Sequence, residues 1–213
     1  MKMSRETSLV TADWVAANLN DPKVVIVEVD EDTTLYAQGH IENAITFHWR
    51  EDLQDGLIRD LISKEKFEAL LSKSGISNDT TVVLYGGNNN WFATYAFWYF
   101  KVYGHADVRL LDGGRKRWEL DARPFVTEVP VRTATTYVAK DRDNSIRAYR
   151  DEVIAAIVQL AFAYALQFDL HIPPFDYFSE ISVEQIQLMG ESLKLQTAKR
   201  LGFKMKADES DNI

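Results

Sequence analysis

Residues 82–105 read VVLYGGNNNWFATYAFWYFKVYGH, and this stretch decides the fold. Thr81 to Tyr85 is a β-branched and aromatic run without polar alternation, the pattern of a strand buried on both faces. Gly86 and Gly87 interrupt it. From Trp91 to Tyr103 apolar side chains fall almost all round a helical wheel, which predicts a buried helix, and Gly104 stops it. A buried strand, a glycine turn and a helix packed back on it imply a parallel crossover to the next strand. That strand reads as Val108 to Leu111. A short helix, Gly113 to Leu120, follows it.

The same alternation extends upstream. Thr11 to Leu19 reads as a helix with Thr11 as N-cap and Asp13 in its first turn. Val24 to Val29 (VVIVEV) reads as a buried strand, Thr34 to Gln38 as one helical turn closed by Gly39, and Ile45 to Phe47 as a short strand. Ser63 to Ser72 reads as a helix capped by Ser63, with Phe67, Leu70 and Leu71 on one face and Gly75 ending it. The fold class is therefore α/β, a parallel sheet with helices on both faces. Downstream the texture changes. Ala122 to Ser145 carries Pro124, Pro130 and many threonines without helical period and reads as an extended linker. A helix is expected from Ile146 through Asp151 to Ile157. Pro173 and Pro174 enforce a loop. Ser182 to Leu201 reads as an amphipathic helix with Ile186, Met189, Leu193 and Leu201 on one face. The expected organisation is a domain over 9–122, a linker over 123–146 and a helical tail over 147–213.

The 213 residues are 46% hydrophobic and 26% charged, an ordinary globular composition. The net charge, 24 − 32 = −8, argues against a nucleic-acid partner, which needs a basic face. The polar start, Met1 to Val10, lacks the apolar run of a signal peptide, so a cytoplasmic protein is expected. Val153 to Phe168 carries no formal charge, but these residues fall short of the ~20 a membrane-spanning helix needs. They read as a buried or partner-facing helix, not a membrane span. The sequence contains no cysteine. That excludes disulfides, thiolate metal sites and a cysteine nucleophile.

Three segments together resemble one family: YAQGHIENAITFHW (36–49), the 82–105 stretch above, and LLDGGRKRWELDARP (110–124). They resemble the rhodanese family of sulfurtransferases, and more closely the N-terminal half of a two-domain thiosulfate sulfurtransferase, over about residues 9–157. The resemblance implies a parallel five-stranded sheet between helices. It also implies sulfur transfer through a persulfide on a cysteine that follows the strand matching Val82 to Tyr85. Backbone N–H groups and a helix N-terminus would stabilise that anion, and a basic residue at the loop's far end often assists. Here the cysteine position falls on Gly86, and Trp91 stands about where the basic residue would be. The loop equivalent to the active one is Gly86, Gly87, Asn88, Asn89, Asn90 and Trp91. First halves of two-domain members commonly lack the cysteine. A second domain should start near Ile146, but the match stops near Ile157, so the remainder reads as a truncated or replaced second domain.

Other residues have plain readings. The Gly86 loop reads as a strand-to-helix turn, its asparagines tolerating left-handed backbone; the alternative is a small-anion site made of backbone N–H groups. Within the resemblance Gly39, His40, Gly113, Gly114 and Trp118 are structural: His40 makes a hydrogen bond at the end of a turn, and Trp118 packs inward. Arg115, Lys116 and Arg117 are expected in solvent. His40, His48, His105 and His171 match no metal-ligand spacing, so no metal and no cofactor is expected. The basic stretch from Lys194 to Lys206 suits a helix C-terminus. The aromatic helix would leave one side for a docked second rhodanese domain or for self-association. The function expected is a non-catalytic rhodanese-like domain with a scaffold or partner-binding role. The alternative is a sulfurtransferase completed by a cysteine-bearing domain.

Overall fold

β-Branched runs without polar alternation need cover on both faces, and a sheet wrapped by helices supplies it. The computed structural model describes residues 4–58 and 60–157. In order come α1 (Arg5–Ser8), β1 (Leu9–Val10), α2 (Ala12–Ala17), β2 (Val24–Asp30), α3 (Thr34–Gln38), β3 (Ile45–His48), α4 (Lys64–Lys73), β4 (Thr81–Tyr85), α5 (Gly87–Val102), β5 (Val108–Leu111) and α6 (Gly114–Leu120), then a 3-10 turn at Asn144–Ile146. The five strands form one sheet in the order β1-β5-β4-β2-β3, every pair parallel. The fifth strand of the expected sheet is Leu9–Val10, which pairs with Leu110 and Leu111. Two residues are too few to show a periodicity in sequence.

The pleat sends alternate residues to opposite faces. Val25, Val27, Val29, Val82 and Leu84 join Phe67, Leu71, Tyr99 and Phe100 in one core cluster. Val24, Ile26, Val83 and Tyr85 join Ile41, Leu111 and Trp118 in the other. The helix starts form as read: the Thr11 hydroxyl accepts Trp14 N–H at 3.2 Å, and Ser63 accepts Lys66 N–H at 3.3 Å.

Residues 127–143 carry no helix or strand, yet they do not hang free. Tyr137 and Ala139 are buried in the first cluster. Thr135 N–H donates to Ser72 O at 2.9 Å. Asn78 holds the backbone of Val138 through both ends of its amide, at 2.7 and 3.0 Å. Arg142 closes the strap, donating to Leu61 O at 2.8 Å and to the Tyr103 hydroxyl at 2.8 Å. The segment lies in the same compact unit as the sheet, which ends at Arg147. A second unit begins at Ala148. Within it residues 150–157 are helical, and Tyr149 N–H donates to the Glu152 carboxylate at 2.7 Å. Among the described residues no helix is long and apolar enough to cross a membrane. The charge-free stretch beyond Ile157, His171, the Pro173–Pro174 loop, the Ser182 to Leu201 helix and the Lys194 to Lys206 stretch lie outside the described residues.

Candidate functional site

In a parallel α/β sheet, loops at the carboxyl ends of the strands gather in one place. Here the end of β4 leads into the loop Gly86–Trp91. Gly86 is extended (φ −172°, ψ 178°), and Asn88, Asn89 and Asn90 then take left-handed backbone, φ 45°, 55° and 63°. Asparagine tolerates that region better than other residues with a Cβ. The right-handed part of α5 begins at Trp91.

The loop is held by its own chain. Gly86 N–H donates to the Asn90 side-chain oxygen at 3.0 Å, and the Asn90 amide donates onward to Leu111 O at 2.8 Å. Gly87 N–H points at the Asp30 carboxylate, 2.9 and 3.1 Å from its two oxygens. Two of the loop's amides are thus committed to side-chain acceptors, one of them an anion. Burial pushes the Asp30 carboxyl up from its ordinary value, against the pull of the Gly87 amide and Arg115.

Close packing makes Gly86 obligatory. A Cβ on Gly86 would lie 2.4 Å from Val29 O on β2. From the other side α6 presses in: Arg115 N–H donates to Gly86 O at 3.0 Å, and a Cβ on Gly114 would lie 2.2 Å from the Asn90 side-chain oxygen. Gly114 has φ 56° as well. No neighbour can yield by rotating a flexible side chain at the Gly86 contact, because the obstacle is backbone.

Beneath the loop lies a charged pair that the sequence reading missed. Arg115 is buried, not in solvent as expected. Its Nη1 donates to both Glu28 oxygens, at 3.0 and 2.8 Å; its Nη2 donates to Gly39 O; and the guanidinium lies 4.4 Å from the Phe125 ring centroid. The reason is Glu28, on a fully buried strand and 1% exposed. A carboxylate there needs a partner. The Tyr85 hydroxyl, which accepts Ile41 N–H at 3.1 Å, also favours the Glu28 carboxylate. Burial still pushes the Glu28 carboxyl up, the Tyr85 and Arg115 contacts pulling it back. The signal was present in VVIVEVD, because an acid inside a both-face-buried strand demands a cation from elsewhere in the chain.

The remaining expected structural residues fall around this core. His40 is fully buried, stacks on Tyr36 at 3.8 Å, and places its ring nitrogens 2.8 Å from Tyr36 O and 3.0 Å from Glu128 O. Gly39 packs against Phe125. Gly113 caps α6 in left-handed backbone. Trp118 is buried and donates to Pro124 O at 2.9 Å. His105 is buried between Thr80 O (3.0 Å) and the Tyr137 hydroxyl (3.1 Å), and His48 accepts the amides of Arg50 and Glu51. Among the described residues no group of three or more histidines and acids could hold a metal ion.

The mouth of the loop is aromatic. Asn88, Asn89, Trp91, Thr94, Tyr95 and Trp98 line an open groove of about 550 Å³. The aromatic helix is open at its start: Trp91 is 72% exposed.

Comparison with known proteins agrees with this geometry. A family profile described as "Rhodanese-like domain" matches residues 11–121. A protein of Mycolicibacterium smegmatis named "Putative thiosulfate sulfurtransferase" is 62% identical over 155 residues, covering 73% of this chain and 56% of its own length. The sulfur carrier protein TtuD of Thermus thermophilus is 49% identical over 174 residues, covering 82% of this chain and 61% of its own. The chain spans little more than half the length of these relatives. Among solved structures, the 3-mercaptopyruvate sulfotransferase SseA of Escherichia coli superposes with a TM-score of 0.62 at 22% identity, covering 70% of this chain and 61% of that one. Tum1 of Saccharomyces cerevisiae does so at 0.60 and 18%, covering 75% and 57%.

Proposed function

The chain belongs to the rhodanese family, and from that premise we propose that its sheet domain is a non-catalytic member that serves as a scaffold or partner-binding half. The carrying observation is at Gly86. Sulfur transfer through a persulfide needs a thiolate, the sequence has no cysteine, and the backbone at Gly86 stands too close to Val29 O to carry any side chain. Loss of the nucleophile is thus accompanied by closure of the space it would use. Asp30 on the Gly87 amide adds to this, since a second anion in the loop would face a carboxylate. We therefore favour a latch built by the chain itself over the small-anion reading of the loop.

The second reading keeps the sulfurtransferase activity and supplies the cysteine from another domain. What favours it is that the relatives are longer than this chain and that the aromatic groove opens beside the loop. The test is to add a cysteine-bearing rhodanese domain that is itself inactive and to measure thiosulfate-to-thiol sulfur transfer. A complex with restored turnover supports complementation. A complex without turnover supports the scaffold reading, and the lack of any complex ends both.

A further inference from the structure

Trp91, Thr94, Tyr95 and Trp98 follow the i, i+3, i+4, i+7 spacing that puts residues on one face of a helix. Their stripe walls the groove, with the carboxamides of Asn88 and Asn89 at its end. The stripe is held in place. The Trp98 indole donates to Ile146 O at 2.9 Å, the Thr94 hydroxyl to Trp91 O at 2.7 Å, and the Tyr95 ring sits 5.8 Å from that of Trp98. None of the six lining side chains is charged.

The chain beside the loop is acidic. Asp30, Glu31 and Asp32 follow one another at the end of β2, and the Asp30 carboxylate is bonded to Gly87, next to Asn88. The nearby guanidinium groups have partners outside the groove: Arg115 pairs with Glu28, Arg142 and Arg147 share Asp60, and Arg50 lies 5.6 Å from the Trp49 ring centroid. An anion would find no basic lining residue. A primary ammonium would give up strong hydrogen bonds to water for a few neutral carboxamide and hydroxyl oxygens. A quaternary ammonium has no such bonds to lose, presents apolar methyl surface, and is attracted by ring faces.

We propose that this groove binds a quaternary ammonium cation of the choline type. The site goes beyond the reading of the domain as non-catalytic and stands whether or not sulfur moves. The experiment titrates the intact protein with choline, and separately with the uncharged isostere in which a tert-butyl group replaces trimethylammonium, following indole NMR signals and tryptophan fluorescence. The expected result is saturable choline binding several-fold tighter than that of the isostere. Trp91→Ala should weaken it about ten-fold and Trp91→Phe less; Trp91 is exposed, so both variants keep the fold. No binding, equal binding of the isostere, or unchanged affinity in Trp91→Ala overturns the proposal. Phosphatidylcholine vesicles settle the source. Co-sedimentation that Trp91→Ala abolishes supports a lipid headgroup as the ligand, and choline binding without co-sedimentation supports a free cation.

Discussion

The carbonyl oxygen of Val29 occupies the space into which a side chain on Gly86 would project, 2.4 Å from the would-be Cβ. The end of β2 and the start of the loop are therefore fitted to one another as bare backbone. Gly86→Ala should destabilise the domain by about 1–3 kcal/mol, the usual cost of forcing atoms into a packed site. Urea unfolding of the two proteins measures it. An unchanged midpoint would mean that the loop moves aside freely.

Gly86→Cys follows from the same contact. The variant should carry a thiol without becoming a competent sulfurtransferase, because the new side chain displaces the backbone that would have to cradle its anion. Persulfide formation after thiosulfate treatment, read by intact mass, should stay far below that of an active rhodanese. Stoichiometric persulfide would show that the loop needs only the missing sulfur.

The Glu28–Arg115 pair is buried on both sides, with side chains 1% and 9% exposed. Arg115→Met leaves a carboxylate in an apolar strand and should cost about 3–5 kcal/mol. The double variant Glu28→Gln with Arg115→Met should recover much of that loss, since the penalty comes from the unpaired charge and not from the absence of a bridge. A double-mutant cycle in urea separates the two contributions.

How much of this was legible in the sequence depended on the range of the interaction. Strands and helices with a clear period, such as Val24 to Val29 and Ser63 to Ser72, were readable because the signal is local. So were the Thr11 and Ser63 caps. The two-residue strand Leu9–Val10 was too short for any pattern, and only the family resemblance implied a fifth strand. Arg115 was misjudged because its partner lies far away in the chain, on β2. Asp30 on Gly87 and Tyr137 in the core are likewise long-range contacts. The composition of 123–146 showed no helical period, but nothing in it showed the packing of Tyr137 and Ala139 against the core. Helix patterning says how apolar a face is, not whether anything covers it, so the exposure of Trp91 was not readable from the 91–103 pattern alone.

Tyr137 makes the strap testable. A chain ending at residue 122 loses Tyr137 and Ala139 from the core and Arg142 from the Leu61 and Tyr103 contacts. One ending at residue 147 keeps them. The shorter chain should be less stable by at least the ~3–5 kcal/mol typical of removing a buried aromatic ring. Thermal melts of the two truncations decide this, and equal midpoints would reduce residues 123–147 to a tether.

His105 gives a pH dependence. Its pKa is lowered from 6.5, first by burial and then by Lys101, outweighing its bond to Thr80 O. The unfolded chain therefore binds this proton more readily than the folded one. The His105 contribution is complete above about pH 6.5 and is lost as pH falls from there to the folded-state pKa. Glu28 and Asp30, both raised, act with the opposite sign from about pH 4 upward. The difference between wild type and His105→Gln isolates the histidine. Urea midpoints should fall between pH 7.5 and 5.5 in wild type more steeply than in the variant. Parallel slopes would remove His105 from the account.

The most direct test of the central claim is thiosulfate-to-cyanide sulfur transfer by the purified chain, its intact mass verified. The account predicts no turnover above the uncatalysed rate and no sulfur adduct on the protein. Turnover in a sample free of cysteine would contradict it, and would require that the Gly86 loop carry out a chemistry without a thiolate.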